Sequence, residues 1–284
     1  MEEAWRSFED SGDAEMAQFL AQPWGTYRPN QFQRALIALT QNTLLQRGKS
    51  RTWMAKLIMS LGSPLDVEFR GCKYRIEPRR NLVERGILTR PKYNASEIEF
   101  LKETVRDGGV MLDIGCNVGL SSLPIAKAAV PNGQVLALDA NSGMVAHLVF
   151  NAEASGLTNI NAQHVAVGDC ETRVSLQSRK NDGAIVRVHV NETGTTEMRP
   201  LLRVVEDAGL KRVDGLKIDI EGHEDKALVP FLQSAPEEFV PRRIVIERAS
   251  RDGDYPGCVA EFERLGFKLV GQTRNNSMYE RSVS

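Results

Sequence analysis

Lys217, Asp219 and Glu221 occupy every second position of Gly215-Leu-Lys-Ile-Asp-Ile-Glu-Gly-His-Glu224, in a frame that otherwise reads as the central strand of a parallel sheet. Such a strand is covered on both faces and is normally apolar throughout. Alternate residues of a strand share a face, so the three charges line up while the strand persists. Unpaired charge inside a sheet is costly, whereas the carboxyl end of a central strand in an open α/β sheet is where ligands bind. The segment therefore reads as the floor of an active site. Asp219, Glu221 and His223 are the candidates for a general base, with Glu224 beside them. An imidazole suits that role because it titrates near about 6.5 when unperturbed. The competing structural roles are a helix cap for Glu221 or Glu224 and, for Lys217, an internal counter-ion to Asp219. A metal held by Asp219, Glu221 and His223 is conceivable, but none is expected.

A second constellation lies upstream. A short apolar strand, Val110 to Ile114, runs into Asp113-Ile-Gly-Cys-Asn-Val-Gly119. Gly115 and Gly119 permit a tight turn and close approach of a ligand to the backbone. The spacing is G-x-x-x-G, and Asn117 stands where a dinucleotide fingerprint needs its second glycine. Asp113 would sit poorly beside a pyrophosphate and well beside a cation. The next strand ends in Asp139, about 20 residues past the loop, where a carboxylate can accept hydrogen bonds from both hydroxyls of a ribose. Loop and acid together describe a nucleoside site with no place for a pyrophosphate. S-adenosyl-L-methionine, with a ribose, an adenine and a cationic sulfonium, fits that description.

Four motifs taken together resemble the FkbM family of S-adenosylmethionine-dependent methyltransferases. They are Asp113-x-Gly115-x-Asn117-x-Gly119, the acid ending strand two, Ala166-Val-Gly-Asp169 after strand three, and Lys217-Ile-Asp-Ile-Glu-Gly-His-Glu224. The match spans roughly residues 95–275. It implies a class I methyltransferase (Rossmann-like) doubly wound sheet with an antiparallel last strand. It also implies methylation of a hydroxyl on a sugar, glycan or natural-product scaffold. The cofactor would be held by Asp113, Gly115, Cys116, Asn117, Gly119, Asp139, Ala140 and Ala166. Cys116 replaces the family's usual alanine, and Asp139-Ala140 replaces the commoner Glu-Pro, which shortens the ribose carboxylate by one methylene.

The elements that must position these residues fall into three regions. Residues 1–62 read as a helical extension, with Trp53, Met54, Leu57, Ile58 and Leu61 as a packing stripe. Residues 63–95 read as a β-hairpin followed by a basic linker, and residues 96–284 as the cofactor-binding domain. Ser96 and Glu99 suggest a capping box for its first helix. Strands and helices then alternate, as in a doubly wound sheet. Strand three is expected over roughly 160–167, then a less regular section with a strand-like Ile185 to Val190, with Glu247 ending strand five towards the cleft. A closing antiparallel pair turns at Asn275-Asn276. His147, His164 and His189 read as structural.

Composition narrows the function classes. Apolar residues make up 42% and charged residues 26% of the 284, which is ordinary for a globular protein. The formal net charge of -1 gives no general pull towards a polyanion. Four scattered cysteines without a CxxC pair argue against a disulfide framework or a thiolate zinc site. No secretory signal or membrane-length apolar run is evident, so a cytoplasmic enzyme is expected. The rival readings are an RNA ribose 2′-O-methyltransferase, a non-catalytic nucleoside-binding protein and an NAD-dependent dehydrogenase. The loop spacing disfavours the last.

Overall fold

Apolar residues on the central strands alternate between two cores, one on each side of a single sheet. The computed structural model describes residues 8, 14–78, 81–106, 108–179, 182–191, 193–250 and 253–282, the side chains of 15 and 177–190 apart. Strands β1 (Leu65–Phe69) and β2 (Cys72–Ile76) form the expected hairpin. Strands β3 (Val110–Ile114), β4 (Gln134–Asp139) and β5 (Ile160–His164) begin the main sheet. Strands β6 (Ala166–Gly168), β7 (Thr172–Arg179), β8 (Asp182–Val190) and β9 (Thr196–Pro200) build a separate small sheet. Strands β10 (Gly215–Ile218), β11 (Arg243–Glu247), β12 (Phe267–Gln272) and β13 (Asn276–Arg281) complete the main one.

Across the main sheet the order is β12-β13-β11-β10-β3-β4-β5, with β13 antiparallel to both its neighbours. The pairings from β11 to β5 are parallel. This is a doubly wound, Rossmann-like sheet with a reversed last strand, as expected. Met111, Val135, Ala137 and Val245 face one core together with the helix Ser142–Ala154 and the hairpin. Leu112, Ile114, Leu136, Leu138, Leu216, Ile218, Ile244 and Ile246 face the other, under the helices Leu201–Asp207 and Glu224–Ser234. Burial of both faces is why these strands read as nearly continuous apolar runs.

The segment before the sheet is tied down by polar groups as well as by packing. Arg75, wholly buried, forms a two-point ion pair with Asp66 at 2.9 and 3.1 Å. Its guanidinium also donates to the carbonyls of Phe19, Gln22 and Pro23. Asp66 in turn accepts from the backbone of Gly25 and Tyr27. His147 holds the Arg75 carbonyl at 2.7 Å, and burial lowers its pKa to about 4, which fits a neutral structural ring.

Three local expectations need correction. Strand three stops at His164, because the next residues leave the main sheet and β6 pairs in parallel with β9. The helix Ala95–Val105 has no Ser96–Glu99 capping box: its N-cap is Asn94, in a left-handed conformation at φ 48°. Ser96 instead bonds Glu97, and Glu99 pairs with Lys102 and Arg70. Of the stripe on the helix Gly48–Ser60, Met54 and Ile58 are buried, while Trp53 is 61% and Leu61 45% exposed. His189 lies on β8, where side chains fall outside the described residues. Among the described residues, no helix is long and apolar enough to cross a membrane.

Candidate active site

β3 and β10 are neighbours whose onward connections run to opposite sides, to β4 and to β11, which opens a crevice at the strand ends. Here the structure has a cleft of about 260 Å³. Gly115 makes its floor possible. It adopts φ 75°, and a Cβ there would lie 1.9 Å from the Asp219 carbonyl oxygen, so the ends of β3 and β10 could not otherwise meet.

The turn that follows engages its own donors. Gly115 and Cys116 donate their N–H groups to the Leu138 carbonyl at 2.8 and 3.0 Å, and Gly119 donates to Cys116 at 3.0 Å. Asn117 donates to Asp139 Oδ2 at 2.9 Å, and Val118 to Asn117 Oδ1 at 2.9 Å. Every backbone N–H from Gly115 to Gly119 is thus engaged, and a carboxylate stands at the lip of the turn. A phosphate-binding loop does the opposite and presents free N–H groups to the ligand. Asp139 Oδ1 accepts from Asn141 at 2.9 Å. Burial raises the Asp139 pKa, opposed by these two backbone hydrogen bonds.

Beneath the floor, Lys217 and Asp113 are register partners on adjacent strands and lie 3.4 Å apart. The Lys217 ammonium donates to the Gly115 carbonyl at 2.6 Å and approaches Asp219 at 4.0 Å. Burial works against this ammonium, but the charges of Asp113 and Asp219 outweigh it and hold Lys217 above its ordinary range. The internal counter-ion role is therefore real, and it is shared between two aspartates.

The end of β10 supplies the opposite rim. Glu221 takes a left-handed conformation at φ 56°. Glu224 is buried and folds back to accept from Ile220 at 2.8 Å and Gly222 at 2.9 Å, so it fastens the turn and does not reach the cleft. Ligand oxygens of Asp219, Glu221 and Glu247 lie within 4.8 Å of one another. Burial, then the charges of Asp219 and Glu221, push the Glu247 carboxyl well above the usual carboxylate range. Such a group can share or accept a proton. Three convergent carboxylates could alternatively hold a divalent cation through oxygen ligands, with Glu247 in the place the sequence suggested for His223.

Of the residues expected from sequence, Gly115, Cys116, Asn117, Asp139, Ala140, Ala166, Asp219, Glu221 and His223 all line the cleft, as does Glu247. Two do not. Asp113 is wholly buried, bonded to Ser122 and Lys217, and Gly119 faces Leu123 and Leu148 in the core. Both support the loop from behind. Asn81, Tyr93 and Asn94 reach the cleft from the segment before the sheet, and Asn275 from the last turn. Asn81 donates to Asn117 Oδ1 at 2.8 Å and so joins that segment to the loop. Its only sequence signal is as a helix cap, which it also is: its side chain accepts from Val83 and Glu84.

No family model and no curated protein matches the chain. Solved structures similar to it include precorrin-6y C5,15-methyltransferase from Geobacter metallireducens GS-15, at 14% identity over 68% of this chain and 90% of that one, TM-score 0.43. A second is M. jannaschii TYW2 in complex with AdoMet, at 14% identity over 78% and 89% of the two chains, TM-score 0.42. A third is the O-methyltransferase from Bacillus cereus in complex with SAH, at 14% identity over 65% and 78%, TM-score 0.41.

Proposed function

We propose that the chain is an S-adenosylmethionine-dependent O-methyltransferase of FkbM type, acting on a hydroxyl of a small-molecule or glycan acceptor. The observation that carries this reading is the turn from Gly115 to Gly119. Its N–H groups are engaged internally and Asp139 stands at its lip, so it disfavours a phosphate and suits ribose hydroxyls and a cation. When bound, S-adenosylmethionine supplies an electrophilic methyl group on a sulfonium. Asp139 would hold the ribose, and Gly115, Cys116 and Ala140 would let the nucleoside lie close to the backbone. At the far rim, Asp219, Glu221 or His223 would take the acceptor hydroxyl's proton as its oxygen bonds to the methyl carbon and the carbon–sulfur bond breaks, with S-adenosylhomocysteine as the leaving group. Such general-base help contributes about 10²–10⁴-fold. Alignment and exclusion of water account for the rest.

The test is to incubate the protein and methyl-labelled S-adenosylmethionine with extracts of its own cell and to identify the labelled product by mass spectrometry. A labelled O-methyl product supports the reading. Tight binding of S-adenosylhomocysteine with no labelled product would instead indicate a nucleoside-binding protein. Loss of label on chelation, restored by Mg²⁺, would assign Asp219, Glu221 and Glu247 to a cation and not to proton transfer.

A further inference from the structure

Four arginines gather round the Tyr93 wall of the cleft. Arg51 comes from the helix Gly48–Ser60, and Arg85 from the helix Leu82–Thr89, where Arg90 is the C-cap. Arg274 lies in the turn between β12 and β13, next to Asn275, which lines the cleft. Tyr93 is seated by Gly86: a Cβ on that glycine would lie 2.2 Å from the tyrosine ring. The Arg90 guanidinium lies 5.0 Å from the centre of the same ring. Arg85 donates to the Pro78 carbonyl at 3.3 Å, which fixes its direction.

The charges of Arg85, Arg90 and Arg274 all reach Arg51. None of the four forms an ion pair among the described residues, and the Arg51 Nε is shielded from solvent with no hydrogen-bond partner. The Arg51 pKa is lowered first by burial and then by the charge of Arg90, with Arg85 and Arg274 adding to the effect and Tyr93 opposing it. Two basic residues of the hairpin have structural employment: Arg70 pairs with Glu99, and Arg75 with Asp66. Arg79 and Arg80 lie outside the described residues. Converging cations next to a cleft are stabilised by an anion placed among them. Guanidinium forks match the geometry of phosphoryl oxygens, and a dianion offsets several of them at once.

We propose that Arg51, Arg85, Arg90 and Arg274 bind a phosphoryl group of the acceptor, so that the methylated hydroxyl belongs to a small phosphorylated or nucleotide-linked molecule. The identification of the ligand as acceptor rests on the methyltransferase reading; the anion site itself does not. Arg90 stacks on Tyr93 and Arg274 precedes Asn275, and both neighbours line the same cleft as Asp219, Glu221 and Asp139. A polynucleotide would call for phosphate contacts spread along a stripe. Here Arg199, Arg243 and Arg264 elsewhere on the chain are ion-paired.

Inorganic pyrophosphate titrated into the full chain at low salt should bind saturably. Binding should weaken at least fivefold in Arg90→Gln and in Arg274→Gln, and also as salt screens the site. Affinity for S-adenosylhomocysteine should be unchanged in both variants. Absence of binding, or equal pyrophosphate affinity in wild type and both variants, would overturn the site. Much tighter binding of a single-stranded oligoribonucleotide through the same arginines would overturn it in favour of a polynucleotide. Because pyrophosphate binding needs no methyl donor, failure to bind S-adenosylhomocysteine would count against the proposed function and leave the anion site standing.

Discussion

Replacing Lys217 by methionine removes one charge from beneath the cleft and keeps most of the side-chain volume. Asp113, 1% exposed at its side chain, would then lose its only cation among the described residues, leaving Ser122 as a polar partner. Breaking a buried ion pair by removing one partner costs about 3–5 kcal/mol. Lys217 is 14% exposed at its side chain, so some water can enter, and the lower end, about 3 kcal/mol, is the expected loss. At roughly 2–4 °C per kcal/mol for a protein of this size class, the midpoint of thermal unfolding should fall by about 6–12 °C. The loop should loosen too, because the Gly115 carbonyl loses a donor at 2.6 Å. Urea unfolding gives the stability change, and Lys217→Met combined with Asp113→Asn supplies the control. Neutralising the orphaned carboxylate should recover more than half of the loss. A change below about 1 kcal/mol in the single variant, or no recovery in the double, would refute the view that this pair is a dependent unit under the floor.

Two further predictions concern the carboxylate rim. Glu221→Gln and His223→Asn should leave S-adenosylhomocysteine affinity nearly intact, and whichever residue is the base should lose about 10²-fold or more in kcat, together with the acidic limb of the pH–rate profile. If both variants keep near-normal kcat, Asp219 and Glu247 become the candidates. Glu247→Gln tests the raised carboxyl through stability: the folded pKa lies above the unfolded one, so the contribution is complete at low pH and is lost as pH rises from the ordinary 4.5 through the raised value, about 9. Wild type should therefore lose stability across that window relative to Glu247→Gln, and parallel stability curves would show that Glu247 carries no such proton.

The main sheet was legible because its strands are short apolar runs bounded by glycine, and because charge at their carboxyl ends could only face a crevice. Asp139, Asp219, Glu221 and His223 were found by that logic, and all four line the cleft. Of the small sheet only β8 was legible, through Ile185 to Val190; the rest of Thr172 to Pro200 mixes polar and apolar residues without a sustained period, and β6 pairs with β9 some thirty positions on. Asp113 was misplaced for a related reason. Its type suggested a ligand contact, but its partner Lys217 stands on the neighbouring strand, and only the register shows that the two neutralise each other. Asn81 and Tyr93 were invisible because they reach the site from outside the motif-bearing region. The expected Ser96–Glu99 cap failed because Asn94 bends into the left-handed region and starts the helix early.

On the proposed function, Asp139 and the turn before it hold the nucleoside of S-adenosylmethionine. Calorimetric titration of S-adenosylhomocysteine into wild type and Asp139→Ala tests it most directly. A hydrogen bond to a charged group is worth about 1.5–3 kcal/mol, and two ribose hydroxyls are at stake. The wild type should bind, and the variant should bind at least about tenfold more weakly, a loss of about 1.4 kcal/mol or more, while remaining folded by circular dichroism. Unchanged affinity in a folded variant, or wild type that binds NAD in preference to S-adenosylhomocysteine, would contradict the claim.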